Sequence, residues 1–210
     1  VTFFSAPQAS YADDSALKAN IQTIEQALAG RVGVAWYDEN SSHQWNYRGD
    51  EAFPLTSTFK AFACAALLAR VDAKQEDLQR QVAIHKQELI TYSPVTEKFT
   101  GKTLSTADLC SAAVTLSDNT AGNLVLASIG GPSGFTQFMQ TLGDRKSSLS
   151  RWEPDLNEAT PGDTRDTTSP NAAVQSLRTL VSGDTLTPDS RQTLIGWLRN
   201  DQVADQLIRS

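Results

Sequence analysis

Phe53-Pro54-Leu55-Thr56-Ser57-Thr58-Phe59-Lys60-Ala61-Phe62-Ala63-Cys64-Ala65-Ala66-Leu67-Leu68 carries the reading on which the fold turns. From Thr58 to Val71 the residues are mostly Ala, Leu, Phe and Val, which predicts a helix buried by composition. Ser57-Thr58-Phe59-Lys60 stands at its first turn. Residues at i and i+3 share a helix face, so the lysine amine reaches the serine hydroxyl. The positive end of the helix stabilises an oxyanion developing there. A lysine in an apolar, partly desolvated pocket can lose its charge and take a proton. Alone, Ser-x-x-Lys is weak: a capping serine followed by a solvated lysine has the same spelling.

On the N-terminal side, Leu17, Ile21, Ile24 and Leu28 mark one face of a helix from Asp14 that ends before Gly30. Val32, Val34 and Trp36 alternate as a strand, and Trp45 and Tyr47 follow a polar turn over 39–42, giving a β-hairpin. On the C-terminal side almost everything reads helical. Ser105 and Asp108 form a capping box for a helix through Cys110 to Leu116. Helices over 119–129 and 132–142 are separated by Gly130-Gly131. Gly143 to Thr168 has little apolar period and carries Pro154, Pro161 and Gly162; an ordered loop this long is uncommon unless functional. Ser169-Pro170 and Thr187-Pro188 open two final helices with a cap residue followed by proline. No segment after the hairpin offers it a convincing third strand, and two strands alone are marginal in water.

The chain has 210 residues, 40% hydrophobic and 20% charged, the profile of one ordinary globular domain. A net charge of −6 argues against a nucleic-acid partner. There is no apolar run of transmembrane length. Val1 to Ala6 lacks the basic flank and length of an intact signal peptide, and residues 1–13 read as a loose terminus. Two cysteines, Cys64 and Cys110, cannot build a metal site alone. His43 and His85 lie far apart among polar neighbours and read as solvated surface residues. Any nucleophile must therefore find a base other than histidine.

Two further groups bear on chemistry. Ser117-Asp118-Asn119 lies between two predicted helices, where it reads equally as a turn and N-cap. Arg151-Trp152-Glu153-Pro154-Asp155-Leu156-Asn157 lies in the long loop; Glu153 reads as a general base with Asn157 beside it, or as a surface acid. Taken together with Ser57 to Lys60, in this order and spacing, these groups resemble the class A serine β-lactamases. The likeness extends through Gly130-Gly131-Pro132 and Gly162-Asp163-Thr164-Arg165-Asp166-Thr167-Thr168, and its wording is nearest to the carbenicillin-hydrolysing branch.

That resemblance implies an α+β, transpeptidase-like fold: an all-helical subdomain beside an α/β sandwich with an antiparallel sheet. It implies that Ser57 attacks the β-lactam carbonyl to form an acyl-enzyme. Lys60 takes part in activating it, with the choice of lysine or glutamate as acylation base left open. Ser117 relays a proton to the departing nitrogen, and Asn119 binds the substrate's side-chain amide. Glu153 activates the hydrolytic water, which Asn157 positions. Glu153-Pro154 is expected to be cis, Arg151 to pair with Asp166 across the loop's neck, and Tyr92 to wall the cleft. Cys64 and Cys110 match the family's disulfide, which suits a periplasmic or secreted protein. The implied ligand is a small β-lactam; no cofactor, metal, nucleic acid or membrane is implied, and the complete protein is expected to be a monomer.

The family's Lys/Arg-Ser/Thr-Gly motif does not occur in these residues. The family domain needs roughly 260 residues, so the resemblance implies a missing C-terminal segment that carries the last strands. The expected layout is therefore a first helix and hairpin over 14–48, a helical part over 49–200 with its active-site loop at 143–168, and the start of a return to the sheet over 201–210. Two other readings stay open: a penicillin-binding DD-peptidase that acylates without turnover, and an inactive fragment that needs a second chain.

Overall fold

The structure, a computed structural model, describes residues 14–203. The expected loose terminus at 1–13 and most of the expected return to the sheet at 204–210 lie outside the described residues.

Helix α1 (Asp14–Leu28) runs into strands β1 (Val34–Tyr37) and β2 (Gln44–Tyr47), an antiparallel hairpin that pairs Trp36 with Trp45 and Val34 with Tyr47. Strand β3 (Phe53–Pro54) leads through a 3-10 turn, Thr56–Thr58, into α2 (Phe59–Asp72). Then come β4 (Gln81–Ala83), a loop with 3-10 turns at Lys86–Glu88 and Thr96–Phe99, and β5 (Thr103–Ser105). Helices α3 (Thr106–Thr115), α4 (Asn119–Ser128) and α5 (Gly131–Thr141) follow. After the long loop come β6 (Thr167–Thr168), α6 (Pro170–Ser182) and α7 (Pro188–Arg199).

The helix starts obey their sequence signals. Ser105 accepts a hydrogen bond from the Asp108 amide at 3.0 Å, Ser169 from Ala172 at 3.3 Å and Thr187 from Ser190 at 3.4 Å, with proline in the first turn of α6 and α7. Gly130, at φ +96°, makes the left-handed turn between α4 and α5, where a side chain would be strained.

Helix α2 is the axis of the core. It packs against α3, α4, α5 and α7, and Phe59, Leu67 and Leu68 are completely buried. A disulfide between Cys64 and Cys110 joins it to α3, with the Cα atoms 5.6 Å apart. Helix α6 covers the hairpin at β1, forming the small α/β part.

Among the described residues the hairpin is two-stranded, and two short ladders were not foreseen: β3 with β6, and β4 with β5. Strands of two or three residues are too short to show an alternating pattern. His43 also departs from the surface reading. It is half-buried, its ring centroid 4.8 Å from that of Trp36, because β2 begins one residue later and folds it against the hairpin. His85 is exposed.

Candidate active site

Ser57 occupies the 3-10 turn at the mouth of α2, and Thr56 before it has φ +44°, a costly conformation for a non-glycine residue. The turn is fixed from two sides. Pro54 pairs with Thr167 in the β3–β6 ladder, and the Leu55 amide donates to the Asp166 carbonyl at 2.8 Å. One residue of the long loop thus anchors the chain two positions before Ser57.

Lys60, one turn on, is 1% exposed. Its Nζ donates to Ser57 Oγ at 3.0 Å, the Ser117 carbonyl at 2.9 Å, Ser117 Oγ at 3.2 Å and Asn119 Oδ1 at 2.6 Å. Ser117 Oγ donates to Ser57 Oγ at 2.8 Å. The two hydroxyls and one amine therefore form a closed relay along which a proton can move. Burial pushes the Lys60 ammonium below its usual range, against the opposing pull of Glu153 and then Asp118.

Glu153 reaches the cluster from the loop, its side chain wholly buried, with Oε1 3.3 Å from Lys60 Nζ. That separation is an ion pair without a hydrogen bond, so Oε1 keeps its acceptor capacity. Its other oxygen accepts from Asn157 Nδ2 at 2.6 Å. The Glu153–Pro154 peptide is cis. At the neck of the loop, Asp166 is 1% exposed and accepts from the Ser150 amide at 2.7 Å, the Arg151 amide at 3.0 Å and Arg151 Nε at 2.6 Å. Arg151 also pairs with Glu158.

Tyr92, exposed and at φ +64°, accepts the Asn119 amide on its carbonyl at 3.0 Å. Ser57, Lys60 and Ser117 line one end of a cavity of about 420 Å³, whose wall continues over Phe62, Val114 and Leu177.

Ser57, Lys60, Ser117, Asn119, Glu153 and Asn157 thus lie within one hydrogen-bonded and ion-paired cluster, with Tyr92 beside it. Sequence reasoning missed Asn123. Its side chain clamps the Glu153 backbone from both sides, accepting the amide at 3.0 Å and donating to the carbonyl at 3.0 Å. The available signal was spacing: Asn123 is four residues after Asn119, on the same face of α4.

The family model described as the Beta-lactamase enzyme family matches residues 16–210. The chain belongs to the β-lactamase enzyme family. It is 51% identical over 199 residues to β-lactamase AER-1 of Aeromonas hydrophila, covering 94% of this chain and 66% of that protein. The chain therefore spans just under two thirds of the length of this curated relative. Among solved structures, the class A β-lactamase of the last common ancestor of Gram-negative bacteria has a TM-score of 0.91 at 49% identity, over 92% of this chain and 74% of that one. The class A β-lactamase PenP of Rhodopseudomonas palustris has a TM-score of 0.89 at 49% identity, again over 92% of this chain and 74% of that chain. The α+β, transpeptidase-like fold is that of the class A β-lactamases. No helix among the described residues is long and apolar enough to cross a membrane.

Proposed function

We propose that this chain carries the acylating and deacylating residues of a class A serine β-lactamase and that the whole protein hydrolyses β-lactams. Ser57 Oγ attacks the lactam carbonyl carbon, forming an ester while the ring C–N bond breaks. The Ser57 proton passes to Glu153, while Lys60 gives a proton through Ser117 Oγ to the departing nitrogen and is reprotonated by Glu153. Glu153 takes a proton from water as that water attacks the ester carbonyl, Asn157 orients it, and Ser57 is regenerated as the ester C–O bond breaks and Glu153 returns the proton to its Oγ. Asn119 holds the substrate's side-chain amide and Tyr92 walls the cleft, while Arg151, Asp166 and Pro154 fix the loop. The disulfide suits an exported, periplasmic or secreted protein, which we propose acts as a monomer.

The observation that carries the reading is Glu153: a buried carboxylate, one oxygen tied to Asn157 and the other free to accept, reaching the Ser57–Lys60 pair from a separate loop. A DD-peptidase acylated by a β-lactam stalls at that ester, whereas a carboxylate poised in this way serves the water that releases it. The test is steady-state nitrocefin hydrolysis together with intact-protein mass spectrometry. The complete protein should turn over, and Glu153→Ala in it should accumulate the acyl-enzyme and lose roughly 1,000-fold or more in kcat. A stoichiometric burst in the complete protein without turnover favours the DD-peptidase. No acylation by a folded chain favours a fragment that needs a second chain.

A further inference from the structure

Asp118 is a buried charge to which the reaction above gives no part. It is 0% exposed at the N-terminal cap of α4. Its Oδ2 accepts from the Val95 amide at 3.0 Å and the Thr96 amide at 2.9 Å. Its Oδ1 accepts from the Ala121 amide at 2.8 Å and Thr96 Oγ1 at 2.9 Å. Amide N–H groups only donate, so this shell satisfies a carboxylate and not an acid. A buried carboxylate is expensive unless something compensates it.

Among the described residues no cation bonds Asp118 directly, but one holds both of its chain neighbours. Lys60 Nζ bonds the Ser117 carbonyl at 2.9 Å and Asn119 Oδ1 at 2.6 Å, so the ammonium lies against the segment that carries Asp118. On its other side it meets Glu153 at 3.3 Å. One buried ammonium therefore pairs with Glu153 and bonds both chain neighbours of the buried Asp118 carboxylate. Asp201, beyond α7, lines the same cavity. Glu97 and Lys98, on the turn that holds Asp118, are exposed, and Asp108 sits in the first turn of α3, away from the end nearest Asp118.

We propose that Asp118 is a positioning residue whose fixed negative charge keeps the proton on Lys60 in the resting site, leaving Glu153 as the group free to act as base. This rests on the hydrolase reading above. Such a charge acts through a low-dielectric interior, where Coulomb effects persist beyond hydrogen-bond distance. The direction of the Asp118 influence on Lys60 agrees.

The experiment is an NMR titration of Lys60 in the full chain carrying ¹³Cε-labelled lysine, with no substrate present. In Asp118→Asn the Lys60 midpoint should fall by on the order of one pH unit. Thr96→Val removes a donor to Asp118 but leaves its charge, and should not move the midpoint. An unmoved midpoint in Asp118→Asn, or an equal shift in Thr96→Val, overturns the proposal. Glu153→Gln supplies a reading that does not require Asp118→Asn to fold: with Asp118 as the remaining counter-charge, Lys60 should stay protonated at neutral pH. A neutral Lys60 there overturns the proposal. Because no β-lactam enters the titration, failure of turnover would sink the hydrolase reading and leave this result intact, and the converse also holds.

Discussion

Helices α1 and α2 are nearly equal in length and live in opposite environments. Helix α2 buries nine of its fourteen residues; α1 buries only Ile21 and leaves Leu17, Ile24 and Leu28 exposed. The first is held by apolar packing, the second chiefly by a polar knot. Glu25 of α1 accepts from Arg48 Nε at 2.8 Å, the Val32 amide at 2.8 Å and the Tyr47 hydroxyl at 2.7 Å. The difference matters for chemistry, because only an enclosed helix can strip water from Lys60 and make its proton negotiable. On the proposed function, burial along α2 therefore serves the chemistry as well as the fold.

The comparison is tested hardest at Phe59. Its ring is 0% exposed and meets Phe135 edge-on with centroids 6.3 Å apart. Phe59→Ala should cost about 3–5 kcal/mol by urea unfolding, since a rigid core closes poorly over the cavity left behind. A loss below about 1 kcal/mol would mean that α2 is not the tight sleeve described.

Next in size is Asn123→Ala, which removes both hydrogen bonds to the Glu153 backbone without touching the carboxylate. A base displaced by a fraction of an ångström should lose roughly 100-fold in deacylation, seen as a lower kcat and a visible acyl-enzyme by mass spectrometry. Nucleophilic attack by Ser57 should be far less affected. Equal loss in both steps would show that Asn123 supports the whole helical core and not the loop alone.

Asn123 also shows where the sequence stops being legible. The seven helices among the described residues follow from apolar composition or period and from cap residues such as Ser105, Ser169 and Thr187, which act within one turn of where they stand. Ser57, Lys60, Ser117 and Glu153 are legible because their order and spacing match a known pattern. Asn123 belongs to no such motif, and mid-helix it reads as an ordinary polar residue; its partner Glu153 is thirty residues away. Asp118 reads as a turn or cap residue, which it is, and nothing local reveals the Val95 and Thr96 amides that enclose it. The β3–β6 ladder escapes for the same reason, since Pro54 and Thr167 are paired across more than a hundred residues of chain.

A smaller effect separates the two helices by pH. The Arg48 hydrogen bond, then those of the Val32 amide and Tyr47, hold the Glu25 carboxyl down at about 2 against an ordinary value of 4.5. A folded-state value below the unfolded one stabilises fully above 4.5 and is lost as pH falls toward 2. Between pH 5 and pH 3 the urea midpoint of the parent should therefore drop more than that of Glu25→Gln. Identical drops would remove Glu25 as the fastening of α1.

The least effect is expected at Leu28, and its smallness is informative. At 71% exposure the side chain has little apolar surface withdrawn from water, so truncation forfeits almost no transfer free energy and opens no cavity. Leu28→Ala should change stability by no more than about 0.5 kcal/mol, with alanine's helix propensity offsetting part of any loss. Urea unfolding at constant m-value measures it. A loss of about 2 kcal/mol would mean that the Leu17, Ile24 and Leu28 face is covered in solution, so that α1, like α2, is held by packing and the polar knot at Glu25 is secondary.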